Sequence, residues 1–361
     1  MPPWRTAIVA VMALAVSACG PTASPAPNSG APTGTSGPAT PATSAEASPT
    51  TAPASFSGPT YLNPIYSRDF PDPHVLPVDG TYYAYSTNAG TTNVPVITSP
   101  DLVSWERVGD AMPALPSWAM PNFGNTWAPG VIQIGEKFVL YFVARDAQAD
   151  LQCIGVATAD APDGPYRDDS DAPFICQADL GGSIDAYPFA DDDGKLYVYW
   201  KNDGNCCGKS VGLWGQTLTD DGLTLTGEAV QLIQRDQPWE IPLIENPAMV
   251  RHEDSYYLFY SGNWWSGPDY AVGYAVCETA LGPCDKPIRE PLFSYTSTAT
   301  GPGGQAFFVD ADGDLVMAYH AWTGSQVGYP NGMRSLRIEP VAFENGAPVI
   351  EGPTTDRQPL P

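Results

Sequence analysis

Between Phe70 and His320 the chain repeats one pattern of apolar and polar positions: a short apolar strand, a polar turn, and a second strand rich in aromatic residues. The first copy reads His74-Val75-Leu76-Pro77-Val78, then Asp79-Gly80, then Thr81-Tyr82-Tyr83-Ala84-Tyr85. Apolar runs flanking an Asp-Gly pair predict a β-hairpin. The later copies turn at Gly135-Glu136, Asp193-Gly194, Glu253-Asp254 and Asp312-Gly313. Third strands are predicted over residues 94–99, 154–159 and 270–275, each followed by a Pro-containing turn, and the first turn leads into a fourth, outer strand. No stretch has a helical period, and 39 Pro with 35 Gly suit a chain of many turns.

Superimposing the copies on their turns puts Asp72, Ala128, Asp185, Glu245 and Gly304 in one slot to within a residue, about 58 residues apart. A strand-only repeat of this period predicts an all-β fold: a single five-bladed β-propeller with four-stranded blades around a central channel. Propellers close by pairing a terminal strand into the blade at the other end, and residues 61–65 are the candidate here. Each blade directs its first strand to the common axis, so a shared slot is a shared destination. Three of the five slots hold carboxylates, which are therefore expected together at the mouth of the channel.

Composition narrows the partners. A net charge of −24 makes a phosphate backbone or an anionic membrane face an unsuitable partner and leaves neutral substrates open. Ten Trp and 18 Tyr supply both a large core and surfaces on which sugars stack.

The N-terminus adds an address. A short segment carrying Arg5, an apolar run from Thr6 to Val16, and Ser17-Ala18-Cys19 have the layout of a secretory signal ending in a lipobox-like sequence, with Cys19 as the lipidated residue. Residues 20–58 are almost wholly Pro, Ala, Ser, Thr and Gly and are expected to form an unstructured tether, leaving 59–361 as the folded domain. An exported protein, held at the outer face of the cell membrane only by its lipid or else released, is the expectation, and as a monomer. Without Cys19 an even six cysteines remain. Cys277 with Cys284 and Cys153 with Cys176 are the pairs expected, while adjacent Cys206 and Cys207 form either a vicinal disulfide or partners for other cysteines.

The chemistry rests on Asp72, Asp185 and Glu245. Each begins an apolar strand, where a carboxylate is costly unless paired or used. Such residues can also bind a central cation or cap backbone N–H groups. Carboxylates around a cavity mouth are what glycoside hydrolysis requires, one protonating the leaving oxygen and another activating water or attacking the sugar. Crowding like charges raises the proton affinity of one member.

Five motifs in order carry a resemblance over residues 61–350: Asp69-Phe70-Pro71-Asp72-Pro73, Thr126-Trp127-Ala128-Pro129, Ser183-Ile184-Asp185-Ala186, Ile244-Glu245-Asn246-Pro247 and Gly301-Pro302-Gly303-Gly304. Together they resemble glycoside hydrolase family 43, five-bladed propeller enzymes that invert the anomeric centre. The resemblance implies Asp72 as general base, Glu245 as general acid, and Asp185 as the group that raises and orients the acid. It further implies Trp127 and Arg334 on the sugar. Many members place a His after the last motif to face a channel cation or water; here Gly304-Gln305 stands there, which argues against calcium at the axis. Gln305 and His320, with His74, are the groups left to serve the axis and the substrate. No cofactor is implied. The run of motifs, including Lys201-Asn202-Asp203-Gly204, is most similar to arabinose-active members, implying an α-L-arabinofuranosidase or exo-arabinanase on arabinose-bearing oligo- or polysaccharide. A β-xylosidase, a galactose-releasing enzyme and a non-catalytic carbohydrate-binding propeller are the alternatives.

Overall fold

The computed structural model describes Phe56 and residues 58–361 apart from 123, 324 and 325; the stretch expected to be a signal, Cys19 and nearly all of the expected tether lie outside the described residues. Five antiparallel sheets follow one another along the chain. Blade 1 runs through His74–Val78, Thr81–Tyr85, Pro95–Ser99 and Glu106–Asp110. Blade 2 has Trp127–Ile134, Lys137–Arg145 and Gln152–Ala159, with an isolated Thr158–Arg167 bridge where a fourth strand would lie. Blade 3 comprises Ser183–Ala190, Leu196–Asn202, Gly212–Leu218 and Leu225–Gln234. Blade 4 comprises Ile244–His252, Ser255–Gly262, Ala271–Cys277 and the two-residue Cys284–Asp285. Blade 5 has Ala299–Val309, Leu315–Thr323 and Arg334–Pro340.

The ring is closed by Tyr66–Asp69, which pairs with Arg334–Pro340 as the outer strand of blade 5. The closing strand thus lies just after the 61–65 stretch expected from the sequence. Pro64 has no N–H to give a ladder. Instead, Tyr61 and Asn63 reach the fully buried Glu339 through their side chains, and Thr354 donates its N–H to the same carboxylate at 2.7 Å. Both ends of the described chain are therefore tied to one residue of blade 5.

Five apolar clusters fill the structure, one between each pair of neighbouring blades, the last joining blade 5 to blade 1. Strand Leu196–Asn202 is instructive: Tyr197 and Tyr199 pack towards blade 4, Val198 and Trp200 towards blade 2, so every residue is buried. A strand covered on both faces needs an apolar run without alternation, which is how these second strands read.

The inner strands share a backbone device. Asp72, Ala128, Asp185, Asn246 and Gly304, one per blade, have φ of 51, 38, 59, 54 and 60°. Left-handed backbone costs a residue with a Cβ roughly 1–2 kcal/mol, least for Asp and Asn. In blades 2 to 5 a shift in strand register accompanies it. The repeat slot of blade 4 is therefore Asn246, and Glu245 stands one residue ahead, in regular register opposite Ser261. Disulfides join Cys153 to Cys176, Cys206 to Cys207 and Cys277 to Cys284, which fits an extracellular protein.

Candidate active site

The bulged inner strands end at one mouth of the ring, and there a cavity of about 600 Å³ opens. Asp72, Asp185 and Glu245 all line it, from blades 1, 3 and 4. Trp127 and Arg334, expected on the sugar, line it too.

Asp72 is held on three sides. Thr87 donates its hydroxyl to Oδ2 at 2.6 Å, and Arg334 Nη1 stands 3.5 Å from Oδ1. The backbone N–H of Asp72 donates to His320 Nδ1 at 3.0 Å. Nδ1 is thus an acceptor. Burial, with help from the Arg334 charge, keeps the His320 imidazole neutral by pushing its pKa well below the usual value.

Arg334 is itself positioned by an aromatic cage. Its guanidinium carbon lies 4.6 Å from the ring centre of Trp265 and 5.6 Å from that of Tyr329. Tyr329 in turn donates to Asp69, which also accepts the Arg334 backbone N–H at 2.8 Å.

Glu245 belongs to a buried charged cluster. Lys201 Nζ lies 2.9 Å from Oε2, and the Tyr270 hydroxyl donates to Oε1 at 2.9 Å. Lys201 is fully buried and also 3.8 Å from Asp203 Oδ1. Asp185 Oδ2 accepts the N–H of Asn246 at 3.0 Å, so the residue after the acidic side chain is clamped by its neighbour. Burial first, and the negative charge of Glu245 second, push the Asp185 carboxyl well above the usual range, against the pull of Lys201. Asp203 is pushed up to about 6, chiefly by burial. A site with this balance retains a proton at a pH where isolated carboxyls have lost theirs.

Gln305 and His320, expected to reach the substrate, are buried behind this lining instead. Gln305 accepts from the Ser261 hydroxyl and donates to the Asn246 carbonyl, at 2.7 and 2.8 Å. It borders a separate axial cavity of about 20 Å³, room for about one water, lined by a short stretch from every blade. A calcium ion does not suit that place. Both ends of the Gln305 amide are engaged, and His74, its pKa lowered to about 4 by burial, donates Nε2–H to the Val131 carbonyl. Among the described residues there is no cluster of three or more His, Cys, Asp or Glu able to hold a metal.

Lys201, Tyr270, Thr87 and the Trp265–Tyr329 cage are what sequence reasoning passed over as individual residues. Lys201 left a signal: a charged side chain ending the apolar run Leu196 to Trp200 obeys the same rule that singled out the three carboxylates.

Comparison with known proteins decides the family. A model of glycosyl hydrolases family 43 matches residues 61–348. The chain belongs to glycosyl hydrolase family 43. A crystal structure of a thermostable family-43 glycoside hydrolase superimposes with a TM-score of 0.76 at 34% identity, covering 84% of this chain and 99% of that one. Among curated relatives, the β-D-galactofuranosidase xynD of Aspergillus niger is 24% identical, over 72% of this chain and 75% of its own. A probable arabinan endo-1,5-α-L-arabinosidase A of Aspergillus flavus is 23% identical over 75% and 87% respectively. This family-43 protein is accordingly a glycoside hydrolase.

Proposed function

We propose that the enzyme hydrolyses terminal α-L-arabinofuranosyl units from arabinan or another arabinose-bearing polysaccharide, with inversion. The observation that carries the reading is the meeting of three inner-strand carboxylates in one cavity, of which Asp185 is held in a proton-retaining environment beside Glu245. Asp72, next to Arg334 and more open to the cavity, takes the proton of an incoming water as its oxygen bonds to the anomeric carbon. Glu245 passes a proton to the departing glycosidic oxygen as the C–O bond breaks. Asp185 holds the acid in place through the Asn246 N–H and keeps the proton within the pair. Lys201 and Tyr270 fix both oxygens of Glu245, and Trp127 offers the sugar an aromatic face.

The choice of arabinose is supported by the motif resemblance and by the relative named as an arabinan arabinosidase. The galactofuranosidase relative supports a second reading, release of galactofuranose. Nitrophenyl α-L-arabinofuranoside, β-D-galactofuranoside and β-D-xylopyranoside assayed side by side separate these. Turnover of the first, with the β-anomer of arabinose appearing first by NMR, is the expected result. Retained sugar with no turnover of any would instead make the chain a carbohydrate-binding propeller.

We further propose that Cys19 carries a lipid that anchors the enzyme outside the cell, with residues 20–58 as the tether and 59–361 as a monomeric catalytic domain. Metabolic labelling with a fatty acid, lost in Cys19→Ala, tests the anchor.

A further inference from the structure

Two of the three disulfides close loops of ordinary kind: Cys153 with Cys176 and Cys277 with Cys284 are 23 and 7 positions apart. Cys206 and Cys207 are neighbours, and their bond closes a ring around a single peptide group. In the chain-entropy model a disulfide stabilises a fold through the length of the loop it closes, so this one adds least to global stability. Its place in the fold is what distinguishes it. Both cysteines are exposed, and Cys206 with Asn205 borders the catalytic cavity that Lys201 and Asp203 also line.

The pair ends a short 3-10 turn, Gly204–Cys207, for which Asp203 is the N-cap residue. Cys206 donates its N–H to the Asp203 carbonyl at 3.2 Å, and Lys209 donates its own to the Gly204 carbonyl at 2.8 Å. The turn is docked on Gly181-Gly182, which leads into the strand that carries Asp185. Asp203 N–H donates to the Gly182 carbonyl at 3.1 Å, and Cys206 Sγ touches the Gly181 carbonyl oxygen at 3.4 Å. The approach leaves no room for a side chain: a Cβ on Gly181, whose φ is 99°, would stand 2.7 Å from the Asp203 carbonyl oxygen. What the turn presents to the site is the Asp203 carboxylate, 3.8 Å from Lys201 Nζ. Lys201 is thereby shared between Glu245 and Asp203, with Asp185 acting on the same charge. Arg145 of blade 2 also acts on Asp203, while Asp72 and Tyr270 complete the groups facing the acid side.

We propose that the Cys206–Cys207 disulfide is a positioning device that holds Asp203 against Lys201, so that its reduction by an external dithiol changes the pH range over which the acid side keeps its proton. The proposal rests on the glycosidase reading above. In the reaction the dithiol becomes a disulfide, two electrons and two protons pass to the sulfurs of Cys206 and Cys207, and the bond between them breaks. The ring opens, the turn gains backbone freedom, and Asp203 leaves Lys201. The full charge of the lysine then falls on Glu245 and Asp185 and favours their ionised forms, so the alkaline limb of kcat/KM moves to lower pH. The test treats the folded enzyme with dithiothreitol, identifies the opened cysteines by alkylation and peptide mass spectrometry, and records the pH profile on nitrophenyl α-L-arabinofuranoside. We expect Cys206 and Cys207 to be alkylated ahead of Cys153, Cys176, Cys277 and Cys284. The limb should fall by about half a pH unit, making turnover on it roughly threefold slower, with the melting temperature within about 2 °C of the oxidised enzyme. Cys206→Ser/Cys207→Ser should show the same lowered limb and no response to dithiothreitol; if that variant does not fold, the reduced wild type decides alone. Resistance of this pair to dithiothreitol, or a limb unmoved once it is open, would overturn the proposal. Titration of 13C-labelled Asp carboxyls by NMR follows Asp203 without turnover and separates the two readings. A value near 6 that drops towards the ordinary carboxyl range on reduction keeps the positioning role even in a chain that hydrolyses nothing. Turnover with Asp203 and the limb both unchanged keeps the glycosidase and removes the positioning role.

Discussion

Opposite sides of the catalytic cavity each pair a carboxylate with a cation, and the pairs are built to different ends. On the blade 3 and 4 side, Lys201 is fully buried and 2.9 Å from Glu245, with Asp185 and Asp203 close enough to feel the same charge. On the blade 5 and 1 side, Arg334 stands 3.5 Å from Asp72, whose side chain keeps 19% of its surface exposed. The first arrangement concentrates negative charge where water is excluded and so retains a proton. The second leaves a carboxylate steadied by Thr87 and Arg334 and in reach of water. In the mechanism we propose, acid and base duties are divided by burial and by the number of neighbouring carboxylates, with the residue type nearly the same on both sides.

The largest test of this division is to remove each carboxylate in turn. Asp72→Asn and Glu245→Gln should each lower kcat on the order of 10³-fold with the fold intact by circular dichroism. Dinitrophenyl glycosides sharpen the contrast, since a leaving group that needs no proton should recover most of the rate of Glu245→Gln and little of that of Asp72→Asn. If both variants recover equally, the division of duties is wrong.

Asp185→Asn should cost on the order of 10²-fold, and it should also pull the alkaline limb of the rate profile down. The sign follows from proton retention: the raised Asp185 carboxyl keeps the pair protonated, and the rate falls as pH rises through that value. Lys201 opposes this retention, so Lys201→Met should move the alkaline limb to higher pH, with Lys201→Arg near wild type. A profile of kcat/KM against pH reads both. A limb that stays fixed in Lys201→Met would mean that the lysine only fills space.

The smallest effect concerns stability. Asp203, pushed up to about 6, binds its proton more tightly in the folded than in the unfolded chain, whose carboxyl lies near 3.9. The stability it contributes is full below about pH 4 and lost as pH rises through about 6. Asp203→Asn should therefore melt on the order of 1–3 °C above wild type at pH 7.5, with the difference gone near pH 4, by scanning calorimetry.

Much of this was readable in the chain because its cause is local. Polar turns and both-face apolar strands are properties of short stretches, and five repetitions of them define the ring; in three of the five a costly carboxylate also marks the strand start. Even the left-handed slot has its local mark, for Asp, Asn or Gly fills it in four blades of five. The slot also misled by one place: aligning on turns chose Glu245, whereas the backbone repeats at Asn246, because a bulge changes register without changing composition.

Sequence alone determined the repeat, the all-β class and the three acidic positions that converge. Tertiary structure decided how each position behaves. Whether Lys201 neutralises Glu245 and whether Gln305 serves the axis or the sugar depend on distances between blades. Those distances are set by the packing of five separate clusters, each shared by residues about sixty positions apart in the chain or more, as a repeat of this period requires. Burial and charge act through space with a reach of a few ångströms, and no local pattern encodes which strangers the fold brings within it.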